Sequence, residues 1–116
     1  MIRRTLRSWG ARAEVIGDSM RPRLRAGDWL LVDPEANVSR APAVGDLVLV
    51  PDPREPARLL IKRVSEVYEG GQELWVTGDA HDATTDSDSF GSVSASTVVG
   101  RPWFRYWPPS RLGRVA

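Results

Sequence analysis

The sequence predicts a mostly β domain with little helix, and three observations carry that reading. Its apolar runs are short, none longer than the four residues at 29–32 and 47–50. They are rich in Val, Leu and Trp and are separated by clusters of Gly, Pro and Asp, the punctuation of strands and turns. The 116 residues leave room for one domain, large enough to bury a core without a metal or disulfide staple.

The elements follow in order. Ile2, Leu6, Trp9 and Ala13 stand at helical spacing, which predicts one or two helical turns over 2–13, weakened by Gly10. Strands are predicted at 13–17, 29–33, 46–51, 58–68, 73–78 and 97–107. Residues 34–42 form a loop, and so do residues 51–56, where three prolines exclude helix and central strand. Glu69, Gly70, Gly71 and Gln72 mark a hairpin, because paired glycines supply the positive φ of a tight turn. Residues 79–92 form a polar loop of Asp, Thr and Ser, long enough to be a site candidate.

Composition excludes whole chemistries. There is no Cys, which removes thiol nucleophiles, thiolate zinc sites and disulfides together. Of 16 basic residues 15 are Arg; the single Lys is Lys62 and the single His is His81. The net charge of +1 argues against a general nucleic-acid binder, but the charge is segregated: +5 over 1–25, −8 over 26–88 and +4 over 89–116. A membrane span needs roughly 20 apolar residues and a secretory segment about 7–15. Neither is encoded, which predicts a soluble, cytoplasmic protein without a transmembrane anchor.

Three places could carry chemistry. Ser19 leaves a predicted strand and is followed by Met20, Arg21 and Pro22, a turn that can expose its hydroxyl beside backbone N–H groups. It either serves as a nucleophile or caps a short turn. Lys62 lies inside the apolar run 59–64. To act as a base it must be neutral, which lowers its ordinary value of about 10.4 by roughly 3 units at a cost of about 4 kcal/mol. Arg cannot give up its proton, so a base position is where a chain that prefers Arg would still need Lys. Alternation puts Lys62 on the face of Leu60 and Val64, but Leu59 and Ile61 make the other face equally apolar, so burial and surface snorkelling both remain open. Four acids and His81 in 77–91 invite a metal reading, yet no register supplies an EF-hand and only one nitrogen ligand is present. No metal and no cofactor are expected. A Ser19–His81–Asp triad is formally available, with a surface His as the plainer reading.

Together these pieces resemble the type I signal peptidase family of serine proteases, which use a Ser–Lys dyad. The family's S-M-x-P-T-L-x-x-G-D box reads Ser19-Met20-Arg21-Pro22-Arg23-Leu24-Arg25-Ala26-Gly27-Asp28. Its G-D-I/L-V-V box reads Gly45-Asp46-Leu47-Val48-Leu49-Val50, and its K-R-V box reads Lys62-Arg63-Val64. Its C-terminal box, G-D-N-x-x-x-S-x-D-S-R-x-x-G-x-V, aligns without a gap over 78–93. The resemblance implies a coiled β-sheet fold like the catalytic core of signal peptidases and LexA-type proteases. It divides the single domain 1–116 into an N-terminal arm over 1–12, a catalytic core over 13–107 and a C-terminal tail over 108–116.

The resemblance also implies roles. Ser19 is the nucleophile and Lys62 its base, meeting in a groove. Gly17, Asp18 and the Ser19 N–H support the oxyanion, and Thr84 supplies a hydroxyl to the Lys where the family has Ser. Asp79 and Asp86 match structural acids. Ala80 and Asp88 depart from the family's Asn and Arg, and an Asp at 88 leaves Asp86 to find another cation, such as Arg63 or Arg101. Small unanchored members of this kind remove an N-terminal pro-segment, which names a protein precursor as partner and the proform of nickel-type superoxide dismutase as substrate. Other secreted or membrane-associated precursors are the alternative. A self-cleaving LexA-type repressor fits poorly, because 18 residues before Ser19 hold neither a DNA-binding module nor a cleavage site. A different class, a binding module, would use the basic-aromatic stretch Arg101 to Pro109; a final strand with one aromatic set facing the core explains the same residues. No nucleic-acid partner is expected. The basic ends can help dock an acidic precursor or make peripheral contact with a membrane surface.

Overall fold

The computed structural model describes residues 2–7, 10–17, 20–35, 40–80 and 91–115. Among them are nine strands: β1 (Ile2–Arg7), β2 (Gly10–Val15), β3 (Trp29–Asp33), β4 (Leu47–Asp52), β5 (Glu55–Tyr68), β6 (Glu73–Thr77), β7 (Val93–Ser94), β8 (Arg101–Trp107) and β9 (Gly113–Arg114). Helical structure is confined to short 3-10 turns at Glu69–Gly71, Ala95–Thr97 and Pro109–Arg111. The mostly β expectation holds.

Two antiparallel sheets form, in the orders β1-β2-β3-β8-β9 and β4-β5-β6-β7. They are stitched where Leu49 pairs with Gly100: the Leu49 N–H donates to Gly100 O at 3.0 Å and the Val99 N–H to Leu49 O at 2.8 Å. β4 and β5 form the middle of the molecule and bury both faces. Leu47, Leu49 and Ile61 pack with Val15, Met20, Leu24, Leu30 and Val115 in one apolar cluster. Val48, Val50, Leu60 and Val64 pack with Leu74, Val76 and Val93 in the other. Two-sided burial explains why periodicity alone could not orient β5: successive side chains point to opposite faces, and here both faces are core.

Three expectations are corrected. Residues 2–7 and 10–15 form a hairpin, not helical turns; β2 pairs with β3 through Ala11–Val32 and Glu14–Trp29, and this long-range partner outweighs the local helical spacing. The loop expected over 51–56 shrinks to Pro53 and Arg54, because Asp52 pairs with Glu55 while Pro51 pairs with Leu59. Residues 56–58 are the excess, so Pro56 falls in a bulge where the ladder asks no N–H of it. The last strand begins at Arg101 and not at 97, since Ala95–Thr97 turns around the Ser94 hydroxyl, which accepts from the Ser96 N–H at 3.3 Å. The hairpin at 69–72 is as expected: Glu69, Gly70 and Gly71 all take positive φ between β5 and β6.

Gly100 is required by space. A Cβ there would sit 2.7 Å from Val32 Cγ1 and 2.9 Å from the Asp33 carbonyl oxygen. The close approach lets the chain pass from the second sheet into β8 beside β3.

Candidate active site

Lys62 lies in the middle of β5, paired with Val48 of β4, and is 1% exposed. It shares its face with Leu60 and Val64, so the alternative left open by the sequence resolves to burial among apolar side chains. Snorkelling to the surface is excluded. The β5–β6 ladder pairs Arg63 with Thr77, so the chain leaves β6 for Gly78 and Asp79 beside the Lys62 position.

The other candidates divide into two groups. Gly17 is exposed, with φ +92°, and follows β2. Asp79 is half-buried and bound by Arg63: Nε donates to Oδ1 at 2.9 Å and Nη2 to Oδ2 at 2.8 Å. Asp18, Ser19, His81, Thr84, Asp86 and Asp88 lie outside the described residues.

The scaffold of the Ser19 loop is nonetheless well defined on both sides. The Val15 N–H donates to Asp28 O at 2.8 Å and the Gly27 N–H to Val15 O at 2.9 Å, closing the base of the loop. Met20 and Leu24 are buried in the first core cluster, and the Leu24 N–H donates to Met20 O at 2.9 Å. Pinned apolar residues on one side of a turn are how a loop can hold a polar neighbour in a fixed place.

Of the four Gly-Asp pairs in the sequence, the three whose aspartate is described, at 27–28, 45–46 and 78–79, are fixtures of one kind. In each the aspartate is gripped by arginine. Asp28, 2% exposed, accepts from the Arg25 N–H at 2.9 Å, from Arg105 Nη1 at 3.2 Å and from Arg111 Nε and Nη2 at 3.3 and 3.1 Å. Asp46 accepts from Arg40 Nη1 and Nη2 at 2.9 and 3.1 Å and from the Ala43 N–H at 2.8 Å, with Arg101 Nη1 at 3.4 Å. Gly27 and Gly45 take nearly the same left-handed conformation, φ +93° and +95°, to aim the following aspartate back at its own turn. Arginine suits these places because its planar fork meets a carboxylate with two parallel bonds.

The electrostatics follow. Burial alone would raise the Asp46 carboxyl, but the hydrogen bonds from Arg40 and Ala43 and the charges of Arg40 and Arg101 hold it below the usual carboxylate range. The Arg63 guanidinium is pushed up by its hydrogen bonds to Asp79 against the effect of burial. Burial lowers Arg101, with the Asp46 charge opposing.

Sequence reasoning assigned no role to Asp28 or Asp46. The signal was present in the recurrence of Gly-Asp at the entrance to β3 and β4 in a chain rich in Arg. Arg63 and Arg101, considered as partners for Asp86, pair with Asp79 and Asp46, and Asp86 itself lies outside the described residues. The basic-aromatic strand also takes its plainer form. Trp103 and Trp107 are 45% and 53% exposed, but Arg101 and Arg105 of the same strand turn inward to Asp46 and Asp28.

Comparison with known proteins identifies the family. The family model described as signal peptidase, peptidase S26, matches residues 5–73, more than half of the chain, including both Ser19 and Lys62. The chain belongs to that family of proteases. It is 32% identical to the mitochondrial ATP-independent inner membrane protease subunit 1a of Arabidopsis thaliana, over 87% of this chain and 73% of that protein. It is likewise 32% identical to the mitochondrial inner membrane protease subunit 2 of Saccharomyces cerevisiae, over 87% of this chain and 70% of that one. The subunit 1 of Xenopus tropicalis is 30% identical over 84% and 69%. These relatives overturn the cytoplasmic location expected from the short apolar runs, since all three are named for the mitochondrial inner membrane. Among the described residues no helix is long and apolar enough to cross a membrane.

Proposed function

We propose that this chain is a serine endopeptidase in which Ser19 and Lys62 form a dyad that cuts a protein precursor near its N-terminal segment. The observation that carries the reading is the burial of the only Lys on an apolar face of the central strand, in a chain that uses Arg at every other basic position. A buried amine is favoured in its neutral form, the form a general base requires. Ser19 Oγ attacks the scissile carbonyl while Lys62 Nζ takes its proton. The amine delivers that proton to the leaving nitrogen as the C–N bond breaks, leaving an ester on Ser19. Water then attacks the ester and gives a proton to Lys62, the ammonium returns it to Ser19 Oγ as the acyl C–O bond breaks, and the product acid ionises to a carboxylate. The Ser19 N–H, with Gly17 and Asp18 shaping the turn, stabilises the oxyanion, and the Thr84 hydroxyl orients the amine. Asp79, held by Arg63, and Asp86 fix the segment that carries Thr84.

The relatives' inner-membrane proteases support a precursor processed beside a membrane as the substrate class. The exposed Trp103 and Trp107, side chains that favour the lipid–water interface, fit that setting. The nickel-type superoxide dismutase proform belongs in the test as a second substrate, because it requires no membrane.

The test is to incubate the protein with both kinds of precursor and read new N-termini by mass spectrometry, with Ser19→Ala and Lys62→Met alongside. A single new terminus made by the wild type and by neither variant supports the dyad. A wild type that cuts nothing, or a variant that cuts equally well, rejects it.

A further inference from the structure

The peptide group that joins Arg23 to Leu24 is held at both of its polar ends. Its carbonyl oxygen, Arg23 O, accepts from Arg105 Nη1 at 2.9 Å and from Arg111 Nη2 at 3.3 Å. Its N–H, on Leu24, donates to Met20 O at 2.9 Å. The same two guanidinium groups bind the Asp28 carboxylate that closes the turn, with contacts of 3.2 and 3.1 Å. Arg105 Nε also donates to Arg111 O, which fixes the two arginines to each other. The segment after β8 is itself anchored. The Arg111 N–H donates to Pro108 O at 3.0 Å, and Val115 is buried in the same apolar cluster as Met20 and Leu24.

We propose that Arg105 and Arg111 are positioning residues for Ser19, so that residues 108–115 belong to the frame of the active site. The inference rests on Ser19 as the nucleophile. A peptide unit is planar and stiff, so fixing its oxygen also sets the direction of its N–H. Charge-assisted bonds to that oxygen polarise the N–H and strengthen its bond to Met20 O. The restraint thus passes from two arginines distant in sequence to Met20, the residue directly after Ser19. Attack on a carbonyl depends on placement, and an error of about 1 Å costs roughly a hundred-fold in rate. Position 111 calls for Arg in particular. Its Nη2 serves Arg23 O and Asp28 Oδ2 while its Nε serves Asp28 Oδ1, whereas an ammonium is a single point charge. The restraint acts on the serine side of the dyad. Met20 and Leu24 pack in the cluster that contains Ile61, while Lys62 shares the opposite face of β5 with Leu60 and Val64.

The test compares full-length Arg111→Ala with the wild type on one cleaved precursor, with Arg114→Ala, an exposed arginine of β9, as the control. Arg111→Ala is expected to lower kcat by about ten- to a hundred-fold with KM held within about two-fold, and to leave the midpoint of the pH profile in place. Guanidinium chloride at about 50 mM, too dilute to unfold the protein, should restore part of the rate, and sodium chloride should not. The Leu24 amide should exchange faster in the variant, and Arg114→Ala should match the wild type throughout. If Arg111→Ala does not fold, Arg111→Lys keeps the charge, loses the fork and should show the same loss of kcat. A folded variant with wild-type kcat, a loss confined to KM, or a loss shared by Arg114→Ala would overturn the proposal. So would a slow variant whose Leu24 exchange is unchanged and whose rate guanidinium does not restore. Ser19→Ala keeps the two readings apart. If the wild type cuts nothing, or Ser19→Ala cuts equally well, the dyad is rejected and Leu24 exchange alone decides: faster exchange in Arg111→Ala retains the brace, and unchanged exchange overturns it.

Discussion

Arg63 and Asp79 form a two-bond pair, at 2.9 and 2.8 Å, directly beside Lys62 in sequence. The pair joins the strand that carries the buried amine to the first residue of the segment leading toward Thr84. Arg63 also donates Nη1 to Gly45 O at 2.9 Å, so one guanidinium ties β5, the turn before β4 and the exit from β6. Arg63→Gln is expected to cost only about 1 kcal/mol of stability, because both partners are partly exposed, yet to lower kcat/KM by about ten-fold or more. Thermal melts and peptide cleavage rates measured on the same preparations check both halves.

Asp28 is a different case. Its carboxylate is buried between two arginines, and its removal leaves their charges without a partner. Asp28→Ala should cost about 3–5 kcal/mol, the range for breaking a buried ion pair. Urea unfolding monitored by tryptophan fluorescence measures it. The effect should extend to the Ser19 loop as faster hydrogen exchange at the Leu24 and Gly27 amides, whose bonds close the turn.

Gly100→Ala tests the seam between the sheets. The added methyl group meets backbone and the β-branched Val32, neither of which yields easily. A loss of about 1–3 kcal/mol is expected, as for other overpacked sites, with no change in the pH dependence of cleavage. The denaturation midpoint gives the first number and the rate profile the second.

Acid stability has a sign that follows from Asp46. Its carboxyl titrates lower in the folded protein than in the unfolded chain. The resulting stabilisation is complete above the unfolded value of about 3.9 and is lost as pH falls through the lower folded value. Asp46→Asn should therefore be less stable than the wild type at neutral pH. The difference should shrink as both are titrated into acid, which denaturant melts at a series of pH values will show.

Much of this was legible in the residues. The short Val- and Leu-rich runs gave β3, β4, β5 and β6 close to their observed bounds, and Gly70-Gly71 marked the hairpin between the last two. The hairpin of β1 and β2 was missed because its pairing to β3 lies some 20 residues away, while helical spacing is a local signal. Pro51 and Pro56 misled in the opposite direction. A proline excludes a paired N–H, not a strand: Pro51 lies on the outer strand β4 and Pro56 in the bulge of β5. For the site, the composition singled out Lys62 but could not say which face of β5 was buried, since both are. The arginines were read as surface charge and docking groups. Their main structural work is to hold Asp28, Asp46 and Asp79, and no spacing rule links residues as distant as Asp28 and Arg111.

The measurement closest to the central claim is kcat/KM against pH for the wild type and for Lys62→Met on one cleaved peptide. Met is close to Lys in shape and suits the apolar face of Leu60 and Val64, so the fold should persist with an unchanged melting temperature. The dyad predicts a wild-type rate that rises with pH to a plateau as the amine loses its proton. It predicts a folded Lys62→Met protein slower by about three orders of magnitude or more. A folded variant that cuts within ten-fold of the wild type, with the same pH profile, would contradict it.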